Sequence, residues 1–338
     1  MEATQTTTKK FVNDPARFVP EMIEGLLLAN PDTLAAEMDH QIVYRKGMPS
    51  DDKVSVIQGS GSGHEPAHYM VVGRGMLDAA VQGNVFAAPP VDAVARCFEL
   101  MKSEKGILHI VNNYQGDRMA WEMAAEMAEA DGVETRRVLV NDDVAVEDSL
   151  YTVGRRGVAG NFFVIKTVGA ASEEGADLDE LVRIGEKTNA AVRTMGVALT
   201  SCRPPAKDTT IFEIGDDEME VGVGIHGEPG RRRETVTNAD AIVEELLEAV
   251  ASDLPFEKGD RVGLMINGLG GTPISELYLL YRKAHQLCGD RGFTVSRNYV
   301  GEYCTSLEMA GMSVTLIRLD DEIDRLLAAP AEVPLRTF

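Results

Sequence analysis

From Lys53 to about residue 190 the chain repeats one pattern. A run of aliphatic and β-branched residues meets a polar or glycine-rich break, and a stretch of helical length follows. "KVSVIQGSGSG", "ILHIVNNYQGD" and "VETRRVLVNDD" read as strands ending in such breaks. "PVDAVARCFELMKSEKG", "RMAWEMAAEMAEADG" and "LDELVRIGEKTNAAVRTMG" read as helices, the first two stopped by Gly106 and Gly132. "NDPARFVPEMIEGLLLAN" reads as a helix opened by Asp14 and Pro15, and "NFFVIKTVGAASEEG" as a strand passing into a helix. Alternation of this kind dictates an α/β domain with a mostly parallel sheet. After Gly196 the alternation is lost. "TIFEIGDDEMEVGVGIHG", "DRVGLMINGLGG", "FTVSRNYVG" and "MSVTLIRLD" are strand candidates, with helices at "NADAIVEELLEAVASDL" and "PISELYLLYRKAHQLCGDRG". The expected fold is therefore two-domain: an N-terminal α/β domain over residues 1–190 and a smaller C-terminal α+β domain over residues 191–338.

Charge and cysteine content exclude several function classes. The 338 residues carry a net charge of -21, a surface that repels nucleic acid and anionic lipid. The four cysteines, Cys97, Cys202, Cys288 and Cys304, form no C-x-x-C pair, and so few in this length suit a reducing compartment. The N-terminus lacks the apolar core of a signal peptide, and no apolar run approaches the ~18 residues of a membrane span. A cytoplasmic location is expected. No G-x-x-x-x-G-K-[ST] string occurs. "GVGIHG" fits G-x-G-x-x-G at Gly222, Gly224 and Gly227, but it follows an acidic stretch and opens no helix, so dinucleotide binding is disfavoured.

Ligands of α/β sheets bind at the carboxyl ends of strands, which directs attention to Gly59–His64, Asn112–Asp117 and Asn141–Asp148. The glycines of "GSGSGHEP" suit a loop that brings backbone N–H groups and His64 to a ligand; they also suit a tight turn whose histidine caps a helix. Asp117 reads either as a helix N-cap or as a general base, with Asn112, Asn113 and Tyr114 offering hydrogen bonds. Asp142, Asp143, Glu147 and Asp148 resemble a divalent-metal cluster less than a solvated loop or helix start. His226, among glycines, suits a nucleophile for a carbonyl carbon, or a buried histidine bonded to backbone. Arg231–Arg233 suits a solvated turn or a contact for a phosphate or an acidic partner. His40, His109 and His285 are expected to be structural. His68 shares a face with His64 if the segment is helical, but no third ligand is spaced for zinc, and no metal is expected.

"GSGSGHEPAH", "NNYQGD", "NDDVAVEDSLYTVGRRGVAG", "GDDEMEVGVGIHGEPGRRR" and "NGLGGTPISELY…YCTSLEMAGMSVTL" together closely resemble the dihydroxyacetone kinase family, in its substrate-binding subunit DhaK, from about residue 15 to residue 330. The resemblance implies that His226 forms a hemiaminal with the carbonyl of a short-chain ketose, that Asp117 is the base on the hydroxyl to be phosphorylated, and that His64 bonds the substrate and assists. It implies that Gly61, with Ser62 and Gly63, offers backbone groups to the substrate. The family commonly has lysine where this chain has Asn112, which points toward a changed preference, such as the four-carbon erythrulose in place of dihydroxyacetone. It further implies a homodimer that binds no cofactor itself. ATP, or ADP with magnesium, sits on a separate DhaL-type helical subunit, in some systems recharged by a DhaM-type phosphotransferase-system protein. A ketose sensor without catalysis is the rival reading; Asp117 favours the kinase subunit, since a sensor needs only His226 and a pocket.

Overall fold

The computed structural model describes residues 9–146 and 154–335. A first six-stranded sheet contains Leu34–Glu37 (β1), Ile42–Arg45 (β2), Ser55–Ser62 (β3), Ala79–Val85 (β4), Ile107–Asn112 (β5) and Thr135–Val140 (β6), in the order β1-β2-β4-β3-β5-β6. β4, β3, β5 and β6 run parallel, and β1 and β2 add an antiparallel margin. Neighbouring residues serve opposite faces, as the pleat requires. Ile107 and Val111 join the core beneath helices Val91–Leu100 (α2) and Gln115–Ala130 (α3), while Leu108 and Ile110 join the core on the other side. Both faces are covered, which explains strands that are almost wholly buried. On α3 the buried Ala120, Trp121, Ala124, Ala125 and Ala128 follow the helical period, and Trp121 donates to the Gly59 carbonyl at 3.0 Å.

The opposite face packs on Asn161–Glu173 (α4) and Leu178–Ala191 (α5), after an N-terminal helix Phe18–Ala29 (α1). α4 corrects the strand-then-helix expectation: the segment is helical throughout. Residues 161–172 are all buried, and a helix buried on every side has no amphipathic period to betray it. The expected helix through Gly196 also ends early, because Val192–Ala198 is a strand (β7).

β7 opens a second six-stranded sheet with Glu218–Val221 (β8), Arg232–Thr235 (β9), Arg261–Gly268 (β10), Thr294–Gly301 (β11) and Gly311–Leu319 (β12), ordered β11-β10-β12-β7-β8-β9. Of its pairings, β10–β11 is parallel and the others are antiparallel. Helices Ala239–Asp253 (α6) and Ile274–Asp290 (α7) cover one face. From the other face Met265, Ile317 and Leu319 enter the core that holds α4, so one apolar layer joins the two sheets. A last helix, Asp321–Ala328 (α8), packs on α4, where Lys166 donates to the Leu326 carbonyl at 2.9 Å. The α/β-then-α+β class expected from the sequence is met; β1, β2, β4, β9 and α8 were not legible there.

Candidate active site

A cavity of about 1170 Å³ opens where loops of the two sheets face each other. Ser60, Tyr114 and Asp117 line it from the first sheet, and His226 with Pro204, Pro205, Thr210 and Ile211 line it from the second. The glycine run behind Ser60 is not a loop, which corrects the sequence reading: Gly59–Ser62 belong to β3. A Cβ on Gly59 would lie 2.0 Å from the Val81 carbonyl oxygen, and one on Gly61 would lie 2.6 Å from the Ala87 nitrogen. These glycines let neighbouring backbone pack closely.

His64 and His226 meet, although 162 residues separate them. Their Nε2 atoms lie 3.0 Å apart, with the rings edge to face. His64 is fully buried beside Phe86, and its Nδ1 lies 2.8 Å from the Thr305 carbonyl. Burial, then the neighbouring His226, holds its pKa well below the ordinary histidine value. His226 is partly exposed at the cavity wall, with the Tyr114 ring edge-on to it. Glu228 grips it twice: Oε2 accepts from the His226 main-chain N–H at 3.0 Å, and Oε1 lies 2.9 Å from Nδ1. Burial acts to raise Glu228, but His226 and Arg156 outweigh it and bring the pKa to about 2. An ionised carboxylate only accepts, so the Nδ1 of His226 carries hydrogen, and its Nε2 is the nitrogen turned to His64.

Asp117 sits in the first turn of α3 but does not cap it. Oδ2 accepts from the Ser60 hydroxyl at 2.7 Å, and Oδ1 has no hydrogen-bond partner among the described residues. Burial raises its pKa to about 7, against the opposing Ser60 bond and His226 charge. A carboxylate so placed takes and returns a proton near neutral pH.

The remaining candidates fall around this centre. Ser62 donates to the Gly83 carbonyl at 2.8 Å, and the Gly63 N–H donates to Glu65 at 3.0 Å. Asn112 lies behind the cavity, where its Oδ1 accepts from Gln58 at 3.3 Å; Gln58 also accepts from His68 at 2.9 Å. His68 stands in a turn and not one helical turn beyond His64; among the described residues no group of three or more His, Cys, Asp or Glu could hold a metal. Asp142 and Asp143 correct another expectation: both are buried. Asp142 accepts from the Val158 and Gly160 N–H groups, and Asp143 pairs with the fully buried Arg156 at 2.6 Å. Glu147 and Asp148 lie outside the described residues. Arg231 donates to the Val144 and Ala145 carbonyls, while Arg232 and Arg233 pair with Glu234, Glu245 and Glu220, so this run is committed within the fold. Sequence reasoning missed Ser60 and Glu228. Ser60 was legible as a hydroxyl amid glycines, and Glu228 as the carboxylate two residues after His226.

Comparison with known proteins places the chain in a family. The chain is 44% identical over 314 residues to the dihydroxyacetone-binding subunit DhaK of PTS-dependent dihydroxyacetone kinase 1 from Listeria innocua, covering 93% of this chain and 95% of that one. It is 39% identical over 325 residues to a D-erythrulose kinase of Mycolicibacterium smegmatis, a match spanning 96% of this chain and 56% of that longer protein. The solved structure of the dihydroxyacetone kinase operon co-activator DhaQ superposes with a TM-score of 0.87 at 32% identity, covering 92% of this chain and 96% of that one. A family model described as the Dak1 domain matches residues 24–335, and with these relatives it shows that the chain belongs to the dihydroxyacetone kinase family, among its DhaK-type members.

Proposed function

We propose that the chain is the ketose-binding subunit of a dihydroxyacetone-type kinase. The observation that carries this reading is the pairing, in one cavity, of the partly exposed His226 with the buried Asp117. The Nε2 of His226 adds to the ketose carbonyl, and the adduct holds a small substrate that offers few other contacts. Glycerol has no carbonyl and is rejected. Asp117 then accepts the proton of the terminal hydroxyl as that oxygen takes the phosphoryl group. A nucleotide with magnesium on a separate DhaL-type helical subunit supplies that group, recharged in some systems by a DhaM-type protein.

Asn112 supports erythrulose as an alternative substrate: this neutral side chain stands where the family commonly has lysine, and a D-erythrulose kinase is among the relatives. The likeness to a co-activator raises the sensor reading, against which stands Asp117, a buried carboxylate that binding alone does not require. The change of sheet between β6 and β7 supports a division near residue 190 into the two proposed domains. Exposed Ile274, Tyr278 and Leu279 on α7, near the free edge of β11, support a homodimer. Four buried free cysteines, with no described helix long and apolar enough to cross a membrane, support a cytoplasmic setting.

The test combines two readouts. The chain, mixed with a nucleotide-bearing helical subunit, is expected to phosphorylate dihydroxyacetone or erythrulose, and ketose alone is expected to add its mass to the chain. His226→Ala should abolish both. Adduct formation without turnover would move the assignment to a sensor, and an adduct that survives the substitution would place the covalent site elsewhere.

A further inference from the structure

We infer that Arg156 is a positioning residue for ketose addition. It faces Glu228 across a gap that Gly224 leaves open, denies the His226–Glu228 pair a second hydrogen, and so keeps the Nε2 of His226 bare. The link to addition rests on the proposed function; the contact rests on geometry alone.

Arg156 arrives from the stretch between β6 and α4, and its side chain is fully buried. Nε donates to Asp143 at 2.7 Å and Nη2 to the Gly222 carbonyl at 2.7 Å, which fixes the plane of the guanidinium. Nη1 has no hydrogen-bond partner among the described residues, so toward that side Arg156 acts as a charge. A Cβ on Gly224 would lie 2.7 Å from this Nη1 and 2.0 Å from the Oε2 of Glu228. Both atoms border the same point, and only hydrogen fits there. Gly224 has no left-handed φ, so space, and not backbone conformation, calls for glycine at this position. The same Oε2 accepts the main-chain N–H of His226, and Oε1 faces its Nδ1. Guanidinium, carboxylate and imidazole thus form one chain of contacts that ends at the cavity wall.

His226 can lose its lone pair in two ways. A proton on Glu228 donates to Nδ1 and moves the ring hydrogen to Nε2. A proton taken by the ring itself fills Nε2 directly. A fixed positive charge opposes both, wherever the proton sits. Arg156 is that charge, and Asp143 shares it from the other side. The other titratable groups facing the pair are Asp117, whose carboxylate favours uptake, and His64, His68 and Tyr114. Burial holds His64 well below its ordinary value, His68 at about 3 and Tyr114 well above its ordinary value, so these three are neutral. Arg156 does not line the cavity, so its influence on a ketose runs through Glu228.

The test uses the full chain with ¹⁵N-labelled histidine, and dihydroxyacetone labelled with ¹³C at its carbonyl, whose tetrahedral carbon reports the adduct. In the wild type at about pH 8, His226 is expected to carry hydrogen at Nδ1 and none at Nε2. Hydrogen at Nε2 there overturns the inference without a variant. Arg156→Gln removes the charge and keeps an amide donor. It should raise the pH at which Nε2 takes hydrogen by about one unit or more, about tenfold in proton affinity. Arg156→Lys should bring that pH back toward the wild type. Asp143→Asn leaves Arg156 in place and gives its whole charge to the pair, so it should lower the same pH. The acid limb of adduct formation should follow in each case. A merely structural role lowers adduct equally at every pH and gives no shifts of opposite sign, and that result overturns the inference. If Arg156→Gln does not fold, Asp143→Asn decides, because a rise or no change there overturns the inference as well. A wild type without adduct overturns the proposed function, while the histidine spectrum still decides the contact.

Discussion

At Asp117 one carboxylate oxygen is bonded and the other has no partner among the described residues, and this asymmetry fixes what can be measured. Burial lifts its pKa to about 7, and the Ser60 hydroxyl pulls the other way. Phosphorylation is expected to rise as pH passes through about 7, since the base works ionised. Ser60→Ala removes a hydrogen bond to the charged form and should move that limb up by about one pH unit. A limb that stays in place would remove Ser60 from the control of this base. Asp117→Asn should keep the ketose adduct while turnover falls about 10²–10⁴-fold. Its stability effect has a definite sign. The folded pKa lies above the unfolded 3.8, so the protonated carboxyl favours the fold below about pH 4, and that contribution is lost as pH rises through about 7. At about pH 8 the asparagine variant should be the more stable, by up to about 4 kcal/mol, with the gap closing near pH 4. Urea unfolding at both pH values checks this; an equal difference at both would mean that the carboxylate is well solvated.

The β8–β9 connection carries His226, and it is held from outside itself. Arg156 donates to the Gly222 carbonyl at 2.7 Å and to Asp143 at 2.7 Å, and it stands near Glu228. Arg156→Met strands two buried carboxylates and should destabilise the chain by roughly 3–5 kcal/mol. Pairing it with Asp143→Leu should recover part of that loss, because an apolar pair has no charge to desolvate. No recovery in urea unfolding would shift the loss to the Gly222 contact. This element shows why the site was only partly legible in the sequence. His64, Asp117 and His226 stand out as polar residues at strand ends or among glycines, and their motifs are contiguous. Thr305, which fixes the tautomer of His64, is 241 residues away and announces nothing locally. Asp142 and Asp143 looked like a solvated loop because their counter-charge and N–H partners arrive from residues 156–160. α4 was misread for a related reason: Phe162 to Ile165 favour strands by local preference, and tertiary burial alone makes them helical.

The whole molecule brings Asp117 from one sheet and His226 from the other to a single cavity, and in the proposed function a phosphoryl donor reaches that cavity from outside. A surface of net charge -21 gives an approaching subunit little general attraction unless that subunit is basic, so local apolar contact has to hold it. α3 offers such contact. Met119 lines the cavity, and Met123 and Met127 follow at four-residue steps, each about half exposed at 55%, 52% and 52%. Side chains spaced by four lie along one helix face, and flexible methionines suit a partner surface that docks and leaves. The stripe therefore runs from the reacting end of α3 out along the surface that a donor subunit would cover. Met123→Glu with Met127→Glu should raise the concentration of donor subunit needed for half-maximal phosphorylation by tenfold or more, about 1.4 kcal/mol or above. The ketose adduct and the rate at saturating partner should be unchanged, because neither residue lines the cavity. Leu28→Glu, on the exposed side of α1, is the control, at 82% exposure and away from the stripe. If the control raises the half-maximal concentration equally, charge alone is responsible, and if the double variant leaves it unaltered, the donor docks elsewhere.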